Sequence, residues 1–164
     1  MTARIFSKDT REFICLLARH KVRYVIVGGE AVIYHGLVRY TGDMDFFYEP
    51  TEANIGRLYE ALKEFWNGKI PGLTKKEELS GKRAVFLFGV PPHRIDIMNS
   101  ISGVSFNEAW KGRIVERLSL GDFEVEICYL GLDELIKNKE KIGRLKDGED
   151  LKYLRAARTK KSKS

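Results

Sequence analysis

Apolar and polar positions follow two different periods along this chain, and the changeovers between them mark its elements. Phe13, Ile14, Leu16, Leu17 and Ala18 recur at mostly helical spacing, which predicts an amphipathic helix over residues 8–20. A continuous apolar run at 22–28 then reads as a buried strand, followed by a short helix at 30–36. Residues 44–48 read as a second strand. Thr51 is a good N-cap for the helix after it, in which Ile55, Leu58, Tyr59, Leu62, Phe65 and Trp66 form one apolar face. Residues 67–82 carry Gly68, Pro71, Gly72 and Gly81 among many Lys and Glu, the pattern of a mobile surface loop or a ragged helix.

Two hairpins are predicted beyond that point. Residues 84–89 and 93–98 are β-rich runs separated by Val90, Pro91 and Pro92, and residues 114–118 and 123–128 are separated by Gly121 and Asp122. A helical turn is expected at 106–110, and residues 131–154 read as two short helices broken at Gly143. A strand-rich middle with helices before, between and after it predicts an α+β fold: a mixed β-sheet flanked by helices, with a short C-terminal helical segment.

At 164 residues the chain suits one domain with a substantial core. That domain is expected over 1–157, with 158–164 as a disordered basic tail. No stretch reaches the length of a membrane span, and the first residues lack the apolar core of a signal peptide, so a cytoplasmic location is expected. Cys15 and Cys128 show neither CxxC spacing nor a neighbouring His, and read as reduced thiols rather than zinc ligands. The net charge of +6 favours polyanionic partners such as nucleotides or nucleic acid. Much of that excess lies in the last ten residues, where a basic run more often forms a solvated tail than a binding site.

The candidate chemistry lies between the first two strands. Tyr24-Val-Ile-Val-Gly-Gly-Glu-Ala31 ends an apolar strand in a Gly-Gly turn, and Thr41-Gly-Asp-Met-Asp-Phe46 returns as a strand carrying Asp43 and Asp45. Side chains at i and i+2 share a face of a strand, so these carboxylates stand about 6 to 7 Å apart at their Cα atoms. Such a pair suits a hard divalent cation, Mg²⁺ with Mn²⁺ as the alternative. Asp96, in Arg94-Ile-Asp-Ile-Met98, is flanked by apolar strand residues and is the third candidate ligand. It also reads as an edge-strand carboxylate paired with Arg94 or Arg83. Two cations about 3.5 to 4 Å apart can clamp the attacking and leaving oxygens of a phosphoryl group, given carboxylates that converge from neighbouring strands. Gly28 and Gly29 have no Cβ, so their backbone amides can approach a triphosphate closely. There is no P-loop motif, and the glycine pair lacks the third glycine of GxGxxG.

Gly28-Gly29-Glu-Ala31, His35-Gly36, Arg39-Tyr-Thr41 and Asp43-Met-Asp45 resemble the signature of the minimal nucleotidyltransferases related to the AbiEii toxin family, within the DNA polymerase β-like superfamily. Leu135-Ile-Lys-Asn-Lys139, Gly143-Arg144, Lys146-Asp147 and Asp150-Leu151 resemble that family's closing helical motif. The resemblance covers most of residues 22–154. It implies the nucleotidyltransferase fold, Mg²⁺, an NTP donor such as ATP, and Gly28, Gly29, Asp43 and Asp45 as the active-site core, to which Asp96 is added by its own strand position as the third metal-holding, catalytic candidate. By the same resemblance Lys139 contacts the triphosphate and Asp147 or Asp150 supports the site, while Arg39 and Thr41, which precede the carboxylates, read as residues that orient them or touch phosphate. One departure is that many superfamily members have Gly-Ser where this chain has Gly28 and Gly29.

The function so implied is transfer of NMP from an NTP to a hydroxyl acceptor with release of pyrophosphate. The acceptor is RNA, protein or a small molecule, and a toxin of a toxin–antitoxin pair would have an antitoxin protein as partner. Two other readings fit the same residues: an antibiotic-modifying nucleotidyltransferase, and a non-catalytic nucleotide- or RNA-binding module on the same fold. His35 reads as a packing residue, and Lys139, Arg144 and Lys146 also read as one solvated helix face.

Overall fold

The computed structural model describes residues 6–38, 41–122 and 124–163. The elements run in the order α1 (Lys8–Arg19), β1 (Tyr24–Val27), α2 (Gly28–Tyr34), β2 (Asp43–Tyr48), α3 (Glu52–Phe65), β3 (Val85–Phe88), β4 (Arg94–Met98), α4 (Phe106–Lys111), β5 (Ile114–Ser119), β6 (Glu124–Tyr129), α5 (Leu132–Ile142) and α6 (Leu145–Lys163). Both predicted hairpins are present as antiparallel pairs, β3 with β4 and β5 with β6. The architecture is α+β, with a six-stranded mixed sheet ordered β3-β4-β2-β1-β6-β5 and a C-terminal helical segment.

Strand alternation divides the core into two layers. Tyr24, Ile26, Met44, Phe46, Tyr48, Ile95 and Ile97 face one way and pack with Phe13 and Ile14 of α1 and Leu58 and Leu62 of α3. Val25, Val27 and Phe47 face the other way, beneath Phe106 of α4, Leu135 of α5 and Leu151 of α6. Asp43 and Asp45 share the face of Phe47, because they are separated from it by two and four residues along β2. The helices on this face cover the sheet over Val25, Val27 and Phe47, whereas beyond Asp96 of β4, on β3, Val85 and Leu87 are more than half exposed.

Local signals place α1, α3, α4 and α5 where the sequence predicts helix, whereas α2 begins at Gly28, two residues before the expected start, so the glycine pair opens the helix. Ser7 and Thr51 cap α1 and α3, each accepting from the backbone N–H three residues on, and Ser105 with Glu108 forms a reciprocal capping box on α4. Gly143, at φ +70°, ends α5 in the left-handed conformation that glycine adopts without steric cost. The fully buried Asn54 accepts from Arg23 N–H and donates to the carbonyls of Arg23 and Glu49, which fixes α3 against the end of β1.

Two segments differ from the sequence expectation. Residues 67–82 do not form a surface loop alone: Ile70, Leu73 and Leu79 are buried, a 3₁₀ turn spans Lys76–Ser80, and the Tyr48 hydroxyl donates to the Leu79 carbonyl at 2.6 Å. The polar residues around these three apolar ones masked their burial. Residues 158–163, expected to belong to a disordered tail, continue α6 as helix, in keeping with the helix propensity of Arg, Lys and Ala. Among the described residues no helix is long and apolar enough to cross a membrane.

Candidate functional site

The sheet register builds the site. β2 and β4 run parallel with Asp43 opposite Arg94 and Asp45 opposite Asp96, and β1 runs antiparallel to β2 with Val27 opposite Asp45. The three carboxylates therefore lie on adjacent strands and on one face, and they offer oxygens that all fall within 4.8 Å of one another. Asp96 is buried, while Asp43 and Asp45 are half-buried. This is the arrangement that the Asp-x-Asp strand and the later strand aspartate predicted.

Three negative charges so close repel one another, and the protein answers in two ways. Arg94 precedes Asp96 by two residues, so its side chain shares the same face. Its Nε donates to Asp96 Oδ1 at 2.8 Å, and its Nη2 donates to Asp96 Oδ2 and Asp43 Oδ2, both at 2.9 Å. Asp45 has no such partner. Burial first, then the charges of Asp43 and Asp96, push its carboxyl up to about 8. Burial also raises Asp96 above the ordinary carboxylate range, against the opposing pull of Arg94. A carboxylic acid held protonated by burial and by neighbouring carboxylates is one that a divalent cation relieves, with release of the proton.

The glycine pair fits the site's own side chains closely. Gly28 has φ +67°, and a Cβ on it would collide with Asp45 Oδ2. A Cβ on Gly29 would lie 2.6 Å from Thr41 Oγ1, and that hydroxyl donates to the Asp43 carbonyl at 3.2 Å. Gly28, Gly29 and Thr41 are thus one packed unit around the carboxylates. Arg39, the remaining candidate of this loop, lies outside the described residues.

The C-terminal motif closes the other wall. Lys139 is buried, with Nζ 2.9 Å from Asp147 Oδ1 and 3.2 Å from Asp150 Oδ2. Arg144 adds bonds to Asp147 from its backbone N–H at 3.1 Å and from Nε at 2.7 Å. Burial alone would push Asp147 up, but the hydrogen bonds from Arg144 and Lys139 outweigh it and hold this carboxyl down at about 2. A cleft of about 490 Å³ joins the parts: Gly28, Gly29 and Thr41 on one side, the three aspartates and Arg94 at its floor, Lys139, Arg144 and Lys146 opposite.

All the described candidate residues meet in this cleft. Three cations were not singled out for it by the sequence: Arg94, Arg144 and Lys146. The signal for Arg94 was its i−2 spacing from Asp96 on a strand. For Arg144 and Lys146 only the fold back of α6 onto α5 decides the side. His35 is not in the cleft; its Nε2 bonds the Leu130 carbonyl at 2.9 Å, and burial pushes its imidazole down. Cys15 and Cys128 are free thiols.

The residues present fit a divalent cation on three grounds: an all-oxygen donor set, a glycine whose missing side chain makes room for one ligand, and an unneutralised carboxyl within the cluster. Comparison with known families agrees in kind. Residues 8–156 match a family described as a nucleotidyltransferase of unknown function (DUF6036), and the chain belongs to that family. No curated protein matches the chain.

Proposed function

We propose that this protein transfers a nucleoside monophosphate from an NTP to a hydroxyl acceptor and releases pyrophosphate, with Asp43, Asp45 and Asp96 as the catalytic, metal-holding residues. The observation that carries this reading is the convergence of three carboxylates from two parallel strands beside the glycine pair that opens α2, in a cleft whose opposite wall is cationic. Bound Mg²⁺ would supply Lewis-acid stabilisation of charge on the transferring phosphoryl group.

The chain's own residues account for the remaining steps. Gly28, Gly29 and Thr41 shape the loop against which the triphosphate lies, with Arg144 and Lys146 as exposed counter-charges. An ammonium has three donors, and two of those on Lys139 engage Asp147 and Asp150, which leaves one for a phosphate oxygen. The acceptor oxygen attacks the α-phosphorus as the bond to the β-phosphate oxygen breaks, and pyrophosphate leaves with that electron pair. Asp96 takes the acceptor proton. It has about four lone-pair sites, of which Arg94 uses two.

We extend the reading to a cytoplasmic toxin that modifies RNA or protein and is restrained by an antitoxin; the resemblance to AbiEii-related sequences supports this extension. One observation favours a non-catalytic binding module instead, since Arg94 already neutralises two of the three carboxylates. Incubation with each α-labelled NTP, Mg²⁺ and total RNA, cell protein or a small-molecule hydroxyl pool separates the readings. Label transfer and pyrophosphate release that vanish in Asp45→Asn support the transferase. Mg²⁺-dependent NTP binding without transfer to any pool would replace it with the binding module.

A further inference from the structure

Beside the carboxylate cleft lies a second, larger cavity of about 590 Å³, which shares Gly28, Asp45, Met98, Lys139 and Arg144 with the cleft. The two spaces differ in chemistry. Apart from Met98, the cleft is lined by charged residues, glycines and Thr41. In the cavity, Val27, Met98, Ile101 and Ile142 add apolar surface, with Ser102 and Asn138 as neutral polar neighbours and Arg83, Lys139, Lys141 and Arg144 as cations. An apolar patch with convergent polar groups, in a volume within roughly 300 to 1,000 Å³, suits a small molecule, and the cations beside it suit one that carries phosphate.

We propose that this cavity receives the nucleoside of the donor, and that Arg83 is the residue that covers the base. The inference rests on the transferase reading above. Transfer requires the α-phosphate at the carboxylates, and the nucleoside is joined to that phosphate through a single ester oxygen. It must therefore rest in a space that touches the carboxylate cluster, and the cavity touches it at Asp45. The cleft offers charge but little surface on which a base can lie, whereas Met98 and Ile142 offer that surface.

Arg83 is held in place at a conformational cost. Its φ is +53°, a left-handed value that non-glycine residues seldom adopt and that clusters at functional positions. Asn99, directly after β4, fixes the turn that contains it: Asn99 Oδ1 accepts from Ala84 N–H at 2.9 Å, and Asn99 Nδ2 donates to the Gly81 carbonyl at 2.7 Å. The guanidinium is exposed at the cavity wall, and among the described residues no carboxylate pairs with it. A planar cation in that position stacks on an aromatic base or donates to its carbonyl edge.

Two variants test this. Arg83→Gly removes the cation and suits the left-handed backbone, so the protein stays folded; Ile142→Trp fills the cavity from its apolar side. With Mg²⁺ present, each should weaken binding of the best-bound NTP by about tenfold or more and leave binding of inorganic tripolyphosphate unchanged. Unchanged NTP affinity in both folded variants would overturn the assignment and place the nucleoside elsewhere, while the transferase reading stood. An equal loss for NTP and tripolyphosphate in Arg83→Gly would also overturn it, making Arg83 a phosphate contact. Wild-type protein that binds neither probe would sink the transferase reading itself, and this inference with it.

Discussion

Arg94 Nη2 donates to Asp43 Oδ2 across 2.9 Å and so bridges β4 to β2 at the floor of the cleft. The same guanidinium holds Asp96 through two further bonds, which leaves Asp45 as the carboxyl that receives no hydrogen bond from Arg94. Arg94 and Asp45 therefore respond differently to charge removal and to pH.

Arg94→Met keeps most of the side-chain stem and removes the charge, so three carboxylates face one another without a cation. The metal-free variant should lose about 1 to 2 kcal/mol of stability, and Mg²⁺ should stabilise it more than it stabilises the wild type. Thermal unfolding of both proteins with and without Mg²⁺ measures this. Equal Mg²⁺ increments in the two would show that Arg94 and the metal do not share ligands.

Asp45 carries a pH signature. Its carboxyl, pushed up to about 8 in the folded protein, keeps a proton that the unfolded chain loses near 3.8. A folded pKa above the unfolded one means that the folded state binds more protons in this window, so metal-free stability falls as pH rises from about 4 to about 8. Asp45→Asn should flatten that slope, retain the fold and reduce nucleotidyl transfer by at least about a hundredfold. A slope that persists unchanged in the variant would assign it to another group.

Asp147 predicts the opposite dependence at lower pH. Held down at about 2 by Arg144 and Lys139, it loses its proton more readily in the folded than in the unfolded state. Its contribution, about 2 kcal/mol by linkage, is present above the unfolded value of 3.8 and is lost as pH falls towards 2. Denaturant midpoints across that range should drop in the wild type and drop less in Asp147→Asn, which starts lower because it leaves the buried Lys139 with one fewer anionic partner.

Gly28→Ala should do more harm than an ordinary turn substitution. The new methyl group meets the Asp45 carboxylate, and φ +67° is unfavourable for alanine. We expect a loss of about 1 to 3 kcal/mol together with weaker Mg²⁺ binding, because Asp45 must move. A variant that unfolds like the wild type and binds Mg²⁺ with the same affinity would show that the close fit is relieved elsewhere.

The sequence by itself determined the strands, their faces and the three aspartates that form the cluster. Period-two alternation puts Asp43, Asp45 and Phe47 on one side of β2 whatever surrounds them, and Thr51, Ser105 and Gly143 mark helix ends through local hydrogen bonding and backbone preference. What the sequence could not decide was which strands become neighbours. β4 is separated from β2 by 45 residues yet lies parallel to it, with Asp96 beside Asp45 and Arg94 beside Asp43. No local pattern encodes that register, because it follows from burying Ile95 and Ile97 in the same layer as Met44 and Phe46. The pairing turned Arg94 from one of two alternative partners of Asp96 into the partner of both Asp96 and Asp43. The fold back of α6 on α5 likewise buried Lys139 between Asp147 and Asp150, where spacing alone allowed a solvated face. Burial of Leu79 in a lysine- and glutamate-rich segment was equally hidden, since it depends on the Tyr48 hydroxyl and the core beneath it. Local periodicity reports which way a side chain points; only the packed sheet sets what it meets there.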